Sequence, residues 1–116
     1  MLLICYKRCS TCKQVESMLK EKNIGYDYRN IDSENPTYEE LKSWHEKSGL
    51  DIKKFFNTSG MIYREENIKD KLETMSLDEK YKLLATNGLL VKRPILIDGD
   101  KILVGPQVKK YIENEL

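Results

Sequence analysis

All cysteines of the chain lie within the stretch LLICYKRCSTCKQ, residues 2–14. They are Cys5, Cys9 and Cys12. The apolar start of the stretch, LLICY, is typical of a buried β-strand. Ser10 or Thr11 can cap a helix that we expect from about Cys12 to Lys22. The Cys-Ser-Thr-Cys turn is therefore predicted to lie where a strand passes into a helix.

The patterns that follow predict further strands and helices. YDYRNID alternates as a second strand does, and NPTYEELKSWHEKSG has a capping Thr37, Glu40 three residues on and Gly49 past its end, as in a helix. Two apolar runs, Ile95–Ile97 and Ile102–Val104, are joined by Asp-Gly-Asp, which indicates a hairpin. We expect the first two strands to be parallel with a right-handed crossover, and the hairpin to be antiparallel.

Two more helices complete the predicted order. SLDEKYKLLATNG is opened by Ser76 and closed by Gly88, and a last helix covers residues 107–113. Strand, helix, strand, several helices, hairpin and helix is the order of an α/β protein with a thioredoxin-like fold. We expect a mixed four-stranded sheet, with a helical insertion at about residues 37–88 between the second and third strands, in one domain over residues 1–116.

Charge and hydropathy exclude several functions. Lys and Arg number 20 against 19 Asp and Glu, so the net charge of +1 provides no field for nucleic acid or an anionic membrane. No apolar run approaches the ~20 residues of a membrane span. The start MLLICYKR lacks the basic segment and the cleavage site of a signal peptide. We therefore expect a cytoplasmic monomer with no direct nucleic-acid or membrane partner.

The Cys-x-x-Cys turn has the chemistry of a redox pair. In a reducing compartment, such a pair is more often redox-active or metal-binding than a permanent structural link. A helix N-terminus with nearby cations, here Lys7, Arg8 and Lys13, can lower a cysteine pKa from ~8.5 to roughly 3.5–7.5. We expect Cys9, which precedes the helix, to be the exposed nucleophile, and Cys12, one turn on, to resolve its adducts by forming a disulfide.

Two other interpretations of the cysteines carry less weight. Structural zinc requires four ligands, and only Cys5 and His45 are available beyond the pair, so we expect no metal site. The pair could also be semi-buried and without chemistry. Cys5 itself is expected in the core, since free cysteine is among the most buried residue types.

The segment LLVKRPILIDG adds a second feature. In thioredoxin-like folds a proline opens the third strand beside the reactive cysteine, and Pro94 stands at that place, where we expect a cis peptide bond. Arg93 would direct its guanidinium toward the thiols to hold a thiolate or an oxyanion. The alternatives are a trans proline that merely begins a strand and an ordinary surface arginine.

Four ordered motifs, CYKRCSTCKQ, FFNTSGMIYRE, LLVKRPILIDG and ILVGPQ, resemble the arsenate reductase (ArsC)/Spx family over essentially the whole chain. The resemblance implies a thioredoxin-like fold and a redox cysteine at Cys9. The family's arsenate reductases use that cysteine with three arginines, whose positions fall here at Asn57, Arg93 and Gly105. Because guanidinium groups are the natural way to hold arsenate, one remaining arginine predicts inefficient arsenate reduction.

The resemblance also extends to the Spx-like regulators, which use this Cys-x-x-Cys as a stress switch and bind the alpha subunit of RNA polymerase. The cysteine pair matches, but Asp51 stands where those regulators carry a glycine, and they continue beyond the helix that ends this chain. FFNTSG is more similar to an uncharacterised branch near proposed glutathione-dependent thiol reductases. There Asn57, Thr58 and Ser59 would line the cleft with polar donors; alternatively they form an ordinary loop.

The sequence therefore predicts a thiol–disulfide oxidoreductase. Cys9 attacks an oxidised thiol, Cys12 resolves the mixed disulfide, and Arg93 with Pro94 shapes the docking surface. We expect no tightly bound cofactor, with electrons from glutathione as a co-substrate, or from glutaredoxin or thioredoxin. The alternatives are a redox-sensing regulator that binds RNA polymerase without catalysis, an arsenate reductase, and an inert scaffold.

Overall fold

Four short strands form one mixed sheet. They are β1 (Leu2–Cys5), β2 (Asp27–Asn30), β3 (Ile95–Asp98) and β4 (Lys101–Val104). Their order across the sheet is β2-β1-β3-β4, with β1 parallel to β2 and antiparallel to β3, and β3 antiparallel to β4. The computed structural model describes residues 1–116.

In the sequence, six α-helices and two 3-10 turns lie between these strands and after the last of them. The helices are α1 (Ser10–Glu21), α2 (Tyr38–Ser48), α3 (Met61–Glu65), α4 (Ile68–Leu72), α5 (Leu77–Leu84) and α6 (Pro106–Glu115), and the 3-10 turns are Ile52–Phe55 and Gly88–Leu90. None of the helices combines the length and the apolar character that crossing a membrane requires.

The contacts divide the chain into two compact units. The first comprises residues 1–30 and 93–116 and contains the whole sheet with α1 and α6. The second unit, residues 31–92, contains the other helices and is inserted in the sequence between β2 and β3. The parallel β1-α1-β2 unit and the antiparallel hairpin confirm the predicted α/β, thioredoxin-like fold. A single domain over residues 1–116 stays a prediction.

The core of the first unit is built from one face of the sheet and the apolar stripes of its two helices. Its fully buried members are Leu3, Cys5, Cys12, Val15, Leu19, Leu96, Val108 and Ile112. Cys12, Val15 and Leu19 recur at helical spacing, so α1 turns one apolar face inward. The predicted core position of Cys5 is confirmed.

In the second unit, α2 has the caps that its sequence predicts. The Thr37 side chain accepts a hydrogen bond from the Glu40 N–H, and the Glu40 carboxylate accepts one from the Thr37 N–H at 3.0 Å. Gly49 ends the helix in the left-handed conformation with φ 69°. These contacts satisfy backbone groups that the helix cannot pair internally.

Replacing Thr37 with alanine is expected to lower the free energy of unfolding by about 1 kcal/mol, because the cap acceptor is lost. Urea denaturation followed by circular dichroism measures this change. The matched Thr37→Ser variant keeps the side-chain oxygen and is expected to retain nearly all of the stability. An equal loss in both variants would contradict a capping role.

The predicted end of α5 at Gly88 is wrong. The helix ends at Leu84, and Gly88 opens a 3-10 turn instead. A Cβ atom at Gly88 would lie only 1.7 Å from the carbonyl oxygen of Ile31. Gly88 is therefore required by the close approach of two backbone segments of the second unit, and not by the end of a helix.

Candidate redox site

The Cys-Ser-Thr-Cys turn connects β1 to α1 in the first unit. Helix α1 begins at Ser10, two residues earlier than predicted, because Cys9 takes the N-cap position with φ −90° and ψ 119°. The Cys9 N–H donates to the Tyr6 carbonyl at 3.0 Å, and the Cys9 carbonyl accepts from the Lys13 N–H at 3.2 Å. The unpaired N–H groups of the first helical turn thus begin directly after Cys9, which precedes the helix as predicted.

The three free thiols form one cluster with Cys12 at its centre. Cys5 and Cys12 belong to one cluster of buried side chains, Cys9 packs against this cluster, and all three thiols are free. Cys5 and Cys12 are 0% and 1% exposed, whereas Cys9 is half-buried. Cys9 is therefore the thiol of this cluster that a partner in solution can reach.

The contacts shift the pKa values of the two buried thiols in opposite directions. The hydrogen bond with Cys5 is the largest cause that lowers the pKa of Cys12, which reaches about 7 although burial raises it. The Tyr6 backbone, the Cys9 thiol and the positive charge of Arg93 lower the Cys12 pKa further. The same hydrogen bond and, second, burial raise the pKa of Cys5 far above its ordinary value. These directions favour the thiolate form of Cys12 over that of Cys5.

Arg93 and Pro94 lie where the chain returns to the first unit. Their peptide bond is cis, as predicted. The guanidinium carbon of Arg93 lies 4.9 Å from the centre of the Tyr6 ring, a cation–π contact. The arginine is held by the residue that follows Cys5, and its charge acts on the Cys12 sulfur. This placement suits the predicted interaction of Arg93 with a thiolate.

The other predicted site residues belong to the second unit. The Asn57 N–H donates to the Leu90 carbonyl at 2.7 Å, and its side-chain amide donates to the Leu89 carbonyl at 3.4 Å. Thr58 and Ser59 are exposed in the loop before α3. A substrate-binding role for Asn57, Thr58 and Ser59 stays a prediction.

Gly105, which the resemblance to the arsenate reductases predicts to stand at one of their arginine positions, has a left-handed backbone conformation. It precedes α6 with φ 60° and ψ −125°, and its N–H donates to the Pro94 carbonyl at 2.8 Å. Glycine adopts this conformation readily, whereas other residues are strained in it. An arginine at position 105 would therefore require a different local backbone.

The structure contains no group of three or more His, Cys, Asp or Glu side chains arranged to hold a metal ion. His45, which with Cys5 was the residue available as a further zinc ligand in a site that we did not expect, lies in α2 of the second unit. Its Nδ1 atom lies 2.5 Å from the Tyr81 hydroxyl oxygen.

Two contributors to the site were missed in the sequence. Cys5 was expected only as a core residue and Tyr6 was not considered for the site, yet the Cys5 thiol and the Tyr6 backbone both lower the pKa of Cys12. The signal was the position of Cys5 at the end of the strand that leads into the cysteine turn. A side chain at that end can face the first turn of the following helix.

The sheet, the cysteine turn at a helix start and the cis-proline loop define a thioredoxin-like protein. The ArsC family model matches residues 5–113. The chain belongs to the ArsC family, as its motifs predict.

Individual relatives place the chain within this family. It is 49% identical to the uncharacterised protein YusI of Bacillus subtilis over 109 residues, which covers 94% of this chain and 92% of YusI. The solved structure of an ArsC family related protein from Bacteroides fragilis superposes with a TM-score of 0.89 at 48% identity, covering 96% of this chain and 95% of that one. Identity to the global transcriptional regulator Spx 2 of Bacillus anthracis is 29% over 107 residues, covering 90% of this chain and 80% of the regulator. The chain is thus more similar to uncharacterised members than to this regulator.

Proposed function

We propose that this protein is a thiol–disulfide oxidoreductase in which Cys9 and Cys12 alternate between two thiols and one disulfide. The observation that carries the proposal is the placement of half-buried Cys9 at the N-cap of α1 and of buried Cys12 in its first turn, with Cys9 packed against the cluster that contains Cys12. The neighbouring thiol of Cys5 and the charge of Arg93 lower the pKa of Cys12, which favours its thiolate form. A reachable thiol beside a thiolate is what two-step exchange requires.

In the first step, the Cys9 sulfur attacks one sulfur of an external disulfide. The Cys12 thiolate, against whose cluster Cys9 packs, accepts the Cys9 proton. A Cys9–substrate disulfide forms, the substrate's own disulfide breaks, and one substrate thiolate leaves. That thiolate takes up the proton, so Cys12 is a thiolate again.

In the second step, Cys12 attacks the Cys9 sulfur of the mixed disulfide. The Cys9–Cys12 disulfide forms and the second substrate thiolate leaves, so the substrate has gained two electrons and the protein has lost them. A thiol reductant then reverses the oxidation. Glutathione, a glutaredoxin or a thioredoxin has the required chemistry, and Arg93 with Pro94 shapes the surface where such partners dock.

Replacing Cys12 with serine is expected to trap the first intermediate. Cys9 can still attack, but no thiolate resolves the product, so the protein retains its partner as a mixed disulfide. Incubation with oxidised glutathione followed by intact-mass measurement should show one glutathione adduct in most of the protein. The same variant expressed in cells should retain its physiological partners.

The matched control is Cys9→Ser, which keeps Cys12 but removes the reachable thiol. It is expected to show no more than a trace of adduct under the same conditions. Adduct formation at Cys12 in the Cys9→Ser protein, or none in the Cys12→Ser protein, would contradict the proposed order of attack.

A second candidate function is a redox-controlled transcription regulator. It is favoured by the 29% identity to Spx 2 over 90% of this chain. The partner would be the C-terminal domain of the RNA polymerase alpha subunit, bound in one redox state of the cysteine pair. A pull-down with that domain and each redox form of the protein separates the candidates, since the absence of binding in both forms excludes the regulator.

A further inference from the structure

We propose that the second unit contains a binding site for a small aromatic carboxylate. The site is a cavity of about 210 Å³ whose walls come from the 3-10 turn Ile52–Phe55 and the helices α3, α4 and α5, together with residues that flank them. All of the lining residues fall within residues 51–80, so the cavity belongs to this unit alone. It contains no cysteine, and the proposal is independent of the proposed thiol chemistry.

The apolar part of the wall suits a single aromatic ring. It consists of Ile52, Phe56, Tyr63 and Leu72, each at most 9% exposed. The ring centres of Phe56 and Tyr63 lie 6.3 Å apart with their planes at 58°, and such tilted rings offer edges and faces to a third ring. Because an apolar cavity of about 150 Å³ holds benzene, this one has room for a ring and one small polar group.

The charged part of the wall favours an anion. Lys53, Lys69 and Lys80 line the cavity, and none of them is held in an ion pair. Of the two acidic residues that also line it, Asp51 is already engaged, since its carboxylate accepts a hydrogen bond from the Lys53 N–H at 2.9 Å. The other is Glu73. Three lysines against two carboxylates leave one net positive charge, which a monoanion complements.

A buried hydroxyl group without a partner provides an independent observation. Tyr63 lines the cavity and is 6% exposed, and its hydroxyl oxygen is buried with no hydrogen-bond partner in the protein. Such a group costs free energy until a partner is supplied. Burial also raises the pKa of Tyr63, which keeps the hydroxyl protonated as a donor. The carboxylate of a ligand in this cavity would be the acceptor that the chain does not provide.

The test is a titration of the full-length, ¹⁵N-labelled protein with benzoate, followed by the amide resonances. We expect saturable shifts concentrated in residues 51–80, with a Kd on the order of 1 mM for a ligand of about nine non-hydrogen atoms. Benzamide has the ring without the charge, and acetate has the charge without the ring, so each should bind about tenfold more weakly. No saturable shifts with benzoate, or equal affinity for benzamide, would overturn the proposal.

Two substitutions test the assigned contacts. Lys53→Met should weaken benzoate binding about three- to fivefold, whereas Lys54→Met, which changes the exposed neighbour outside the cavity, should leave it unchanged. Tyr63→Phe should weaken binding several-fold without lowering the urea midpoint of the free protein, since it removes a hydroxyl that has no partner. Equal effects of the two lysine variants, or full affinity in Tyr63→Phe, would contradict the site as assigned.

Discussion

Replacing Cys9 with serine is expected to lower the rate of disulfide reduction about 10³-fold or more, because a hydroxyl neither ionises near neutral pH nor forms a disulfide. Cys9 is half-buried, whereas Cys5 and Cys12 are 0% and 1% exposed, so neither of them can replace it. The measurement is the initial rate of reduction of a small disulfide by glutathione, followed through a coupled glutathione reductase.

Ser10→Ala provides the matched control for Cys9→Ser. Ser10 is the exposed neighbour of Cys9 and the first residue of α1, and it lies outside the thiol cluster. We expect this variant to retain the full rate. If Cys9→Ser also retains it, the cysteines are not catalytic and the inert-scaffold hypothesis gains support.

Replacing Gly88 with alanine is expected to lower the free energy of unfolding by about 3 kcal/mol, at the upper end of the usual cost of overpacking. The new Cβ would lie 1.7 Å from the Ile31 carbonyl oxygen and 2.8 Å from the Asn35 side-chain oxygen. The first of these is a backbone atom, which cannot rotate away. The Gly88 N–H also donates to that Asn35 oxygen at 3.1 Å, and any shift weakens this bond.

Gly25→Ala provides the comparison for this prediction. A Cβ atom there meets no atom within 4 Å, and its φ lies outside the left-handed region. We expect its stability to stay within about 0.5 kcal/mol of the parent. Urea denaturation of both variants decides the matter, since equal effects would show that the contact with Ile31 is not the cause.

Elements with signals close together in the sequence could be predicted. The caps of α2 depend on Thr37, Glu40 and Gly49, whose hydrogen bonds and dihedral angles are local. The hairpin could be predicted in the same way, because Asp-Gly between two apolar runs is a local signal. In the structure, Gly99 is the first of two residues between β3 and β4 and adopts φ 62°. This is the position at which a type II′ turn favours glycine.

Features that depend on distant segments could not be predicted. Gly88 follows a helical pattern as a terminating glycine does, and only the folded chain shows the Ile31 carbonyl against it. The start of α1 was misplaced for a local reason: Cys9 takes the N-cap position without a side-chain cap bond, and cysteine is absent from the residues that favour this position.

The candidate site also has one part that local sequence signals predict and one part that depends on distant segments. The contact between Cys9 and Cys12 follows from their spacing at a helix start. The place of Cys5 in the core cluster that contains Cys12, and the stacking of Arg93 on Tyr6, require the sheet, because β3 must return beside β1 before Arg93 reaches that ring. Spacing thus predicted the pair, while its electrostatic surroundings depended on the tertiary structure.

The central position of β1 has a consequence for how the protein is made. Strand β1 leaves the ribosome before its neighbours β2 and β3, and the core around Cys5 and Cys12 includes Leu96, Val108 and Ile112, which are synthesised about 90 residues later or more. At translation rates of about 5–20 residues per second, the Cys5 and Cys12 thiols stay exposed for several seconds until these later residues are synthesised and bury them. Throughout that interval a nascent chain exposes them to oxidants and electrophiles that the finished protein excludes.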